Sequence, residues 1–226
     1  MEDKNCTINI KSLPEIFLKA NFLGNGKSYY LKNDIKLYYK KLECALNDIK
    51  EGKHTDYLFF SFISLSSATL EYSLNLMYSI YCFFNFNFPQ CKTYLEVYKN
   101  LRFKNKLFIL PHVLSEGKVE LNDENQNVKT LYELISIRNK VLHNSEDAQE
   151  FVFPNIQASI IDNKLFVPIE NATIDFEIST KENIMEALNE ELCIRIGNAM
   201  LTFYKMLFIP YIEKGVLDNN DLLRNK

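Results

Sequence analysis

Residues 135–144 read Ile135-Ser136-Ile137-Arg138-Asn139-Lys140-Val141-Leu142-His143-Asn144. An arginine, an asparagine and a histidine stand near the end of an otherwise apolar stretch, in a chain with only three His and four Arg. At about 100° per residue, Leu131, Leu134, Ile135, Val141 and Leu142 share one helix face, and Arg138 falls in its middle. A guanidinium keeps its proton, so one on a core face needs partners, and leaving it unpaired is costly. Asn139 and His143 lie one turn apart on the flank of the stripe. Arg138, Asn139 and His143 therefore open to one side near the helix C-terminus, a set suited to holding an anion and moving a proton. A purely structural role fits the same residues: Arg138 bridging two helices, His143 complementing the negative end of the helix dipole. The core position of Arg138 and the adjoining Asn weigh toward chemistry.

Working outward, residues 56–84 form a strongly apolar run that is long enough to raise the question of a membrane span. Glu71, Asn75 and the Ser and Thr residues between Ser61 and Ser73 argue against it. A helix apolar on nearly all sides belongs at the centre of a bundle or in a dimer interface. Glu71 would then be a carboxylate in need of a cation, and Arg138 a cation in need of a carboxylate; pairing them resolves both costs. Glu71 meeting a Lys or water at the bundle edge is the alternative.

The remaining pattern is mainly helical, in one domain over residues 1–226. Ser12-Leu13-Pro14-Glu15 starts a short helix, and Gly24-Asn25-Gly26 makes a turn, so 12–28 reads as an N-terminal helix and turn. Gly26-Lys27-Ser28 is not the end of a phosphate-binding loop: the glycine needed five residues earlier is Asn21 and no strand precedes it. Residues 29–150 form a helical core. In it Leu31, Ile35, Tyr38, Leu42, Ala45, Leu46 and Ile49 keep helical spacing up to Gly52, with Lys32, Lys36, Lys40, Lys41 and Lys50 on a solvated face. After a break around Asn87 and Pro89 come a helix through Tyr94, Val97, Tyr98 and Leu101, then a short one over 104–114 interrupted near Pro111. His112 beside that proline reads as a packing or loop residue. Residues 115–127 are polar and read as a loop, and 128–143 is the motif helix.

Residues 151–179 change character. Three stretches, 156–161, 164–169 and 173–178, are rich in β-branched and aromatic residues, with Asp162-Asn163 as a two-residue turn and Pro168 suited to an edge. This predicts a small β-hairpin or three-stranded insertion before the C-terminal helix. The capping box Ser179-Thr180-Lys181-Glu182 starts that helix, which occupies the C-terminal segment 180–212 and runs to about Ile209, where Pro210 ends it; a frayed tail over 218–226 follows.

At Arg138-Asn139-Lys140-Val141-Leu142-His143 the chain resembles the HEPN superfamily of helical nucleotide-binding domains, whose hallmark is an Arg, four to six residues, then a His, often with a polar residue after the Arg. Leu134-Ile135-Ser136-Ile137 before the motif and Asn144 after it are similar to the family. So is Lys106-Leu107-Phe108-Ile109-Leu110-Pro111 followed by Gly117. The resemblance covers roughly residues 30–210. It implies an all-α fold, an antiparallel helical bundle, and two motif helices meeting across a homodimer to give one composite active site. It also implies a metal-independent endoribonuclease, in many relatives a toxin or phage-defence effector, with an antitoxin or regulatory protein as a further partner. Some members have lost catalysis and serve as binding or scaffold modules. The Tyr that some HEPN toxins carry two residues after the His is Ser145 here, which departs from control by modification at that position.

The chemistry such a site requires can be stated. RNA supplies its own nucleophile, the ribose 2′-hydroxyl. His143 suits proton transfer because its unperturbed pKa is near 6.5, and such transfer contributes about 10²–10⁴-fold. Arg138 offers a fork of donors for phosphate oxygens. Asn139 would orient His143 or a phosphate oxygen, with Glu71 and Asn144 in support. The products would carry 2′,3′-cyclic phosphate and 5′-hydroxyl ends. The other readings are a non-catalytic module binding RNA, a nucleotide or a protein, and a structural dimerisation bundle.

Composition sets bounds. A net charge of −3 and a pI near 5.7 argue against a broad basic nucleic-acid surface, though not against a narrow, locally positive cleft. Five cysteines (6, 44, 82, 91 and 193) with no C-x-x-C, and three scattered histidines (54, 112 and 143), suggest buried thiols in a reducing cytosol and neither a disulfide frame nor a metal site. Met1-Glu2-Asp3-Lys4-Asn5-Cys6 lacks the apolar run of a signal peptide. The expectation is a cytoplasmic protein with no cofactor, no metal and no membrane partner.

Overall fold

The computed structural model describes residues 17–23, 27–53, 57–142, 151–152, 159–161, 164–166, 177–178 and 187–225. The described chain is mainly helical, with short antiparallel two-stranded sheets. It begins with strands β1 (Phe17–Leu23) and β2 (Lys27–Lys32), paired antiparallel with Leu23 opposite Lys27. The expected helix over this region is therefore corrected to a hairpin, while residues 12–16 lie outside the described ones. The physical reason is that Phe17, Phe22, Tyr29 and Tyr30 favour strands, and Gly24-Asn25-Gly26 sits where the register needs a three-residue connection. A register shift between Phe17 and Ala20 breaks the period of two that would have shown it.

Helix α1 (Ile35–Lys50) buries Ile35, Tyr39, Leu42, Leu46 and Ile49, a stripe at helical spacing, and the chain turns at Gly52 with φ +71°. Helix α2 (Leu58–Asn85) is the axis of the structure. It packs on α1 and on four helices still to come, and fifteen of its residues are buried. Its small polar residues are accommodated inside partly by bonding back to the helix: Ser73 Oγ donates to the Thr69 carbonyl at 2.7 Å, and Ser79 Oγ to Asn75 at 2.8 Å.

Helix α3 (Phe88–Lys99) starts where the sequence marks a break. The Asn87 side chain caps it, accepting from the Gln90 amide at 3.2 Å, and Pro89 occupies the first turn, where no amide hydrogen is needed. Helix α4 (Phe103–Leu114) passes through Pro111 without the expected interruption. The 115–127 loop contains strand β3 (Val119–Leu121). Helix α5 (Gln126–Leu142) is the motif helix; Asn125 caps it by accepting from the Asn127 amide at 2.9 Å.

Between α5 and the next helix are β4 (Phe151–Val152), β5 (Ser159–Ile161), β6 (Lys164–Phe166) and β7 (Glu177–Ile178), paired as β4–β7 and β5–β6. The β5–β6 register, Ile161 opposite Lys164, brackets Asp162-Asn163 as expected. Helix α6 (Glu190–Phe203) begins ten residues later than the capping box suggested. Its cap is Asn189, accepting from the Leu192 amide at 2.9 Å, with Glu190 and Glu191 in the positively polarised first turn. The box at 179–182 lies outside the described residues. Pro210 does not end the helix either. A π-helical turn (Tyr204–Phe208) widens the ladder just before it, and α7 (Ile209–Lys214) continues to Gly215 in the left-handed conformation. Asn220 Nδ2 donates at 3.0 Å to the Met206 carbonyl, the one a residue at 210 would ordinarily serve.

The expected frayed tail is corrected in the same way. Strand β8 (Leu223–Asn225) pairs with β3, Leu222 and Leu223 are buried, and Asn122 and Asn125 each donate to the Asp221 carbonyl at 3.1 Å. The stretch Glu190–Lys214 is long and apolar enough to cross a membrane by length and composition, and half of its most apolar window is buried within the protein. It packs on α5, α1 and α2.

Candidate functional site

Of the residues singled out in the sequence, Glu71, Arg138 and Asn139 come together where α2, α4 and α5 meet. On α5, Leu131, Leu134 and Ile135 are buried, and Arg138 follows one turn later on the same face. Arg138 stands in the last described turns of α5 and is only partly buried. Its side chain is 25% exposed. This corrects the expectation of a buried guanidinium; Glu71 is likewise at the edge, 38% exposed.

Arg138 Nη2 lies 3.8 Å from Glu71 Oε2, so the anticipated partners face each other at ion-pair distance, too far for a direct hydrogen bond. Arg138 Nη1 donates to Asn139 Oδ1 at 3.1 Å, and the guanidinium carbon stands 5.9 Å from the centre of the Phe103 ring on α4. Asn139 thus contacts the guanidinium itself. Leu142 is the last residue described at this end of α5, and His143 and Asn144 lie outside the described residues.

Lys106, on α4, is a member of this group that the sequence reading missed. Its Nζ is 3.8 Å from Glu71 Oε1, and its side chain is 5% exposed. Burial lowers the ammonium below the ordinary lysine range; Glu71 opposes this, and nearby Lys99 adds to it. The signal was present: Phe103, Lys106, Leu107 and Leu110 follow the i, i+3, i+4, i+7 spacing of one helix face, which sets Lys106 among core positions.

Elsewhere among the described residues, most cysteines and His112 take packing positions. Cys82, Cys91 and Cys193 are buried, and burial pushes the Cys82 and Cys193 thiols up to about 12, far from nucleophilic; Cys44 is exposed. The His112 ring lies against Gly117, consistent with a packing role. Among the described residues no group of three His, Cys, Asp or Glu could hold a metal. On the α5–α6 side, Arg195 makes a two-pronged ion pair with Glu133, its Nη2 donating to Oε1 at 3.0 Å, beside a cleft of about 420 Å³. Set against protein-family models, curated proteins and solved structures, the chain matches none of them.

Proposed function

We propose that this chain is a metal-independent endoribonuclease of the HEPN type, cleaving RNA by 2′-hydroxyl attack, with two copies contributing motif helices to one composite site. The observation that carries the reading is Arg138: a guanidinium at the end of the motif helix, partly open to solvent, with Asn139 and Glu71 beside it and His143 next in sequence after α5. Arg138 would hold the non-bridging phosphate oxygens and stabilise the more negative phosphorane. His143 would move the proton of the 2′-hydroxyl or the 5′-oxygen. One histidine does not readily do both, which is what a second copy would supply.

The test is cleavage of a labelled single-stranded RNA in the presence of EDTA, with wild type beside Arg138→Ala and His143→Ala, all three shown to be folded. The expected outcome is cleavage by wild type, leaving 2′,3′-cyclic phosphate ends, and a loss of at least about 10²-fold in His143→Ala. RNA binding without cleavage by any of the three would instead favour the non-catalytic module.

A further inference from the structure

Three charged side chains from three helices meet at the Arg138 corner, and their charges do not balance. Glu71 of α2 faces two cations, with Oε1 3.8 Å from Lys106 Nζ and Oε2 3.8 Å from Arg138 Nη2. Both separations exceed a direct hydrogen bond, so the carboxylate is shared between the two. The cations differ in freedom. Lys106 is almost fully buried, and its backbone carbonyl accepts from the Tyr78 hydroxyl at 2.7 Å; Tyr78 is itself buried and stacked on Tyr98. Of the two cations, Arg138 is the one a solute can reach.

We propose that Lys106 is a positioning residue of the Arg138 site: by sharing Glu71 it keeps the guanidinium fork available to a phosphate group. The choice of an RNA phosphodiester as that ligand rests on the ribonuclease reading. Two cations and one carboxylate leave one positive charge over in this trio, and Lys99 adds to the field at Lys106. One phosphodiester carries the single negative charge that would balance the trio. Without the Lys106 charge, Glu71 closes on Arg138 and occupies the fork with an internal anion.

A double-mutant cycle tests this. Lys106→Met keeps the volume of the buried stem and Glu71→Gln removes the shared charge; wild type, both single variants and the double variant are compared after thermal melts confirm folding. The readout is the rate at which phenylglyoxal modifies Arg138, followed by mass spectrometry, with Arg195 in the same molecule as reference. Lys106→Met is expected to slow Arg138 modification by about three-fold or more when Glu71 is present, and by less than about 1.5-fold in the Glu71→Gln background. Equal slowing in both backgrounds, or none in either, overturns the proposal. Should Lys106→Met fail to fold, Lys106→Gln takes its place in the cycle. Binding of a single-stranded oligonucleotide lacking the 2′-hydroxyl at the scissile position is measured on the same proteins. Coupling in Arg138 reactivity without RNA binding or cleavage supports the Lys106 arrangement and counts against the ribonuclease reading; cleavage without coupling does the reverse.

Discussion

Thr69 is fully buried in the middle of α2, and its hydroxyl finds no hydrogen-bond partner among the described residues, as is also true of Ser66 and Ser67. Four residues on, Ser73 shows the ordinary solution, donating to the carbonyl one turn back. A buried hydroxyl left without a partner costs about 1–3 kcal/mol, while valine fills the same space without a polar atom. Thr69→Val is therefore expected to raise unfolding free energy by about 1 kcal/mol, read as a higher denaturant midpoint with unchanged slope. Single residues also show what could be read at the site. Arg138 and Glu71 are legible because a charge on a periodic apolar face demands a partner, and Asn139 because it adjoins Arg138. Lys106 was not read, although its spacing carries the same signal, because a lysine's long apolar stem lets it sit on a core-facing stripe without announcing a role.

At the scale of elements, Gly197 decides how closely α6 approaches α1 and α2. A Cβ there would stand 2.7 and 2.8 Å from the two Leu46 methyls and 3.1 Å from Phe62 Cζ. Leu46 and Phe62 are each 1% exposed, so neither can move without displacing its own neighbours. Alanine would gain about 1 kcal/mol of helix propensity, and overpacking costs about 1–3 kcal/mol. Since three atoms are compressed at once, the clash wins. Gly197→Ala is expected to lower stability by about 1–2 kcal/mol, measurable by urea unfolding. Elements with a long, uniform period were readable: α1, α2 and α5 follow their apolar stripes. The failures share a cause, in that their determinants are not local. The β1–β2 hairpin carries a bulge that erases its alternation. Strands β3 and β8 pair across about a hundred residues, each too short to show a period alone. Pro210 lies within a continuing helix because the π turn precedes it and Asn220, beyond the end of α7, serves Met206.

For the whole molecule, the abundance of tyrosine sets the alkaline limit. Burial raises the phenols of Tyr39, Tyr78 and Tyr132 well above their usual value, and that of Tyr211 up to about 12. In the unfolded chain these groups ionise near pH 10. Above that pH the unfolded state binds fewer protons than the folded one, so stability present below about pH 10 is lost as pH rises toward the folded values. Lys106 has the opposite sign: its folded pKa is lowered, so its burial penalty shrinks as pH rises toward the ordinary lysine value. Four phenols outweigh one ammonium. Urea midpoints are expected to fall steeply from about pH 9 to about pH 11, with part of the tyrosinate absorbance appearing only on unfolding; a flat profile would contradict the burial of these rings.

The α5–α6 cleft has one more consequence. It is lined by Lys140 near the end of α5 and by Ala187 and Asn189 just before α6, so the chain leaves the helices and returns to them at nearly one place. The two helices are already clamped there by Glu133 and Arg195. The two ends of the intervening chain are thus held near each other by the helices alone. Changing a loop's length alters closure entropy only logarithmically, by about 0.6 kcal/mol per doubling. Shortening or lengthening the chain between Leu142 and Ala187 is accordingly expected to move the stability of the helical frame by less than about 1 kcal/mol, read as a nearly unchanged urea midpoint.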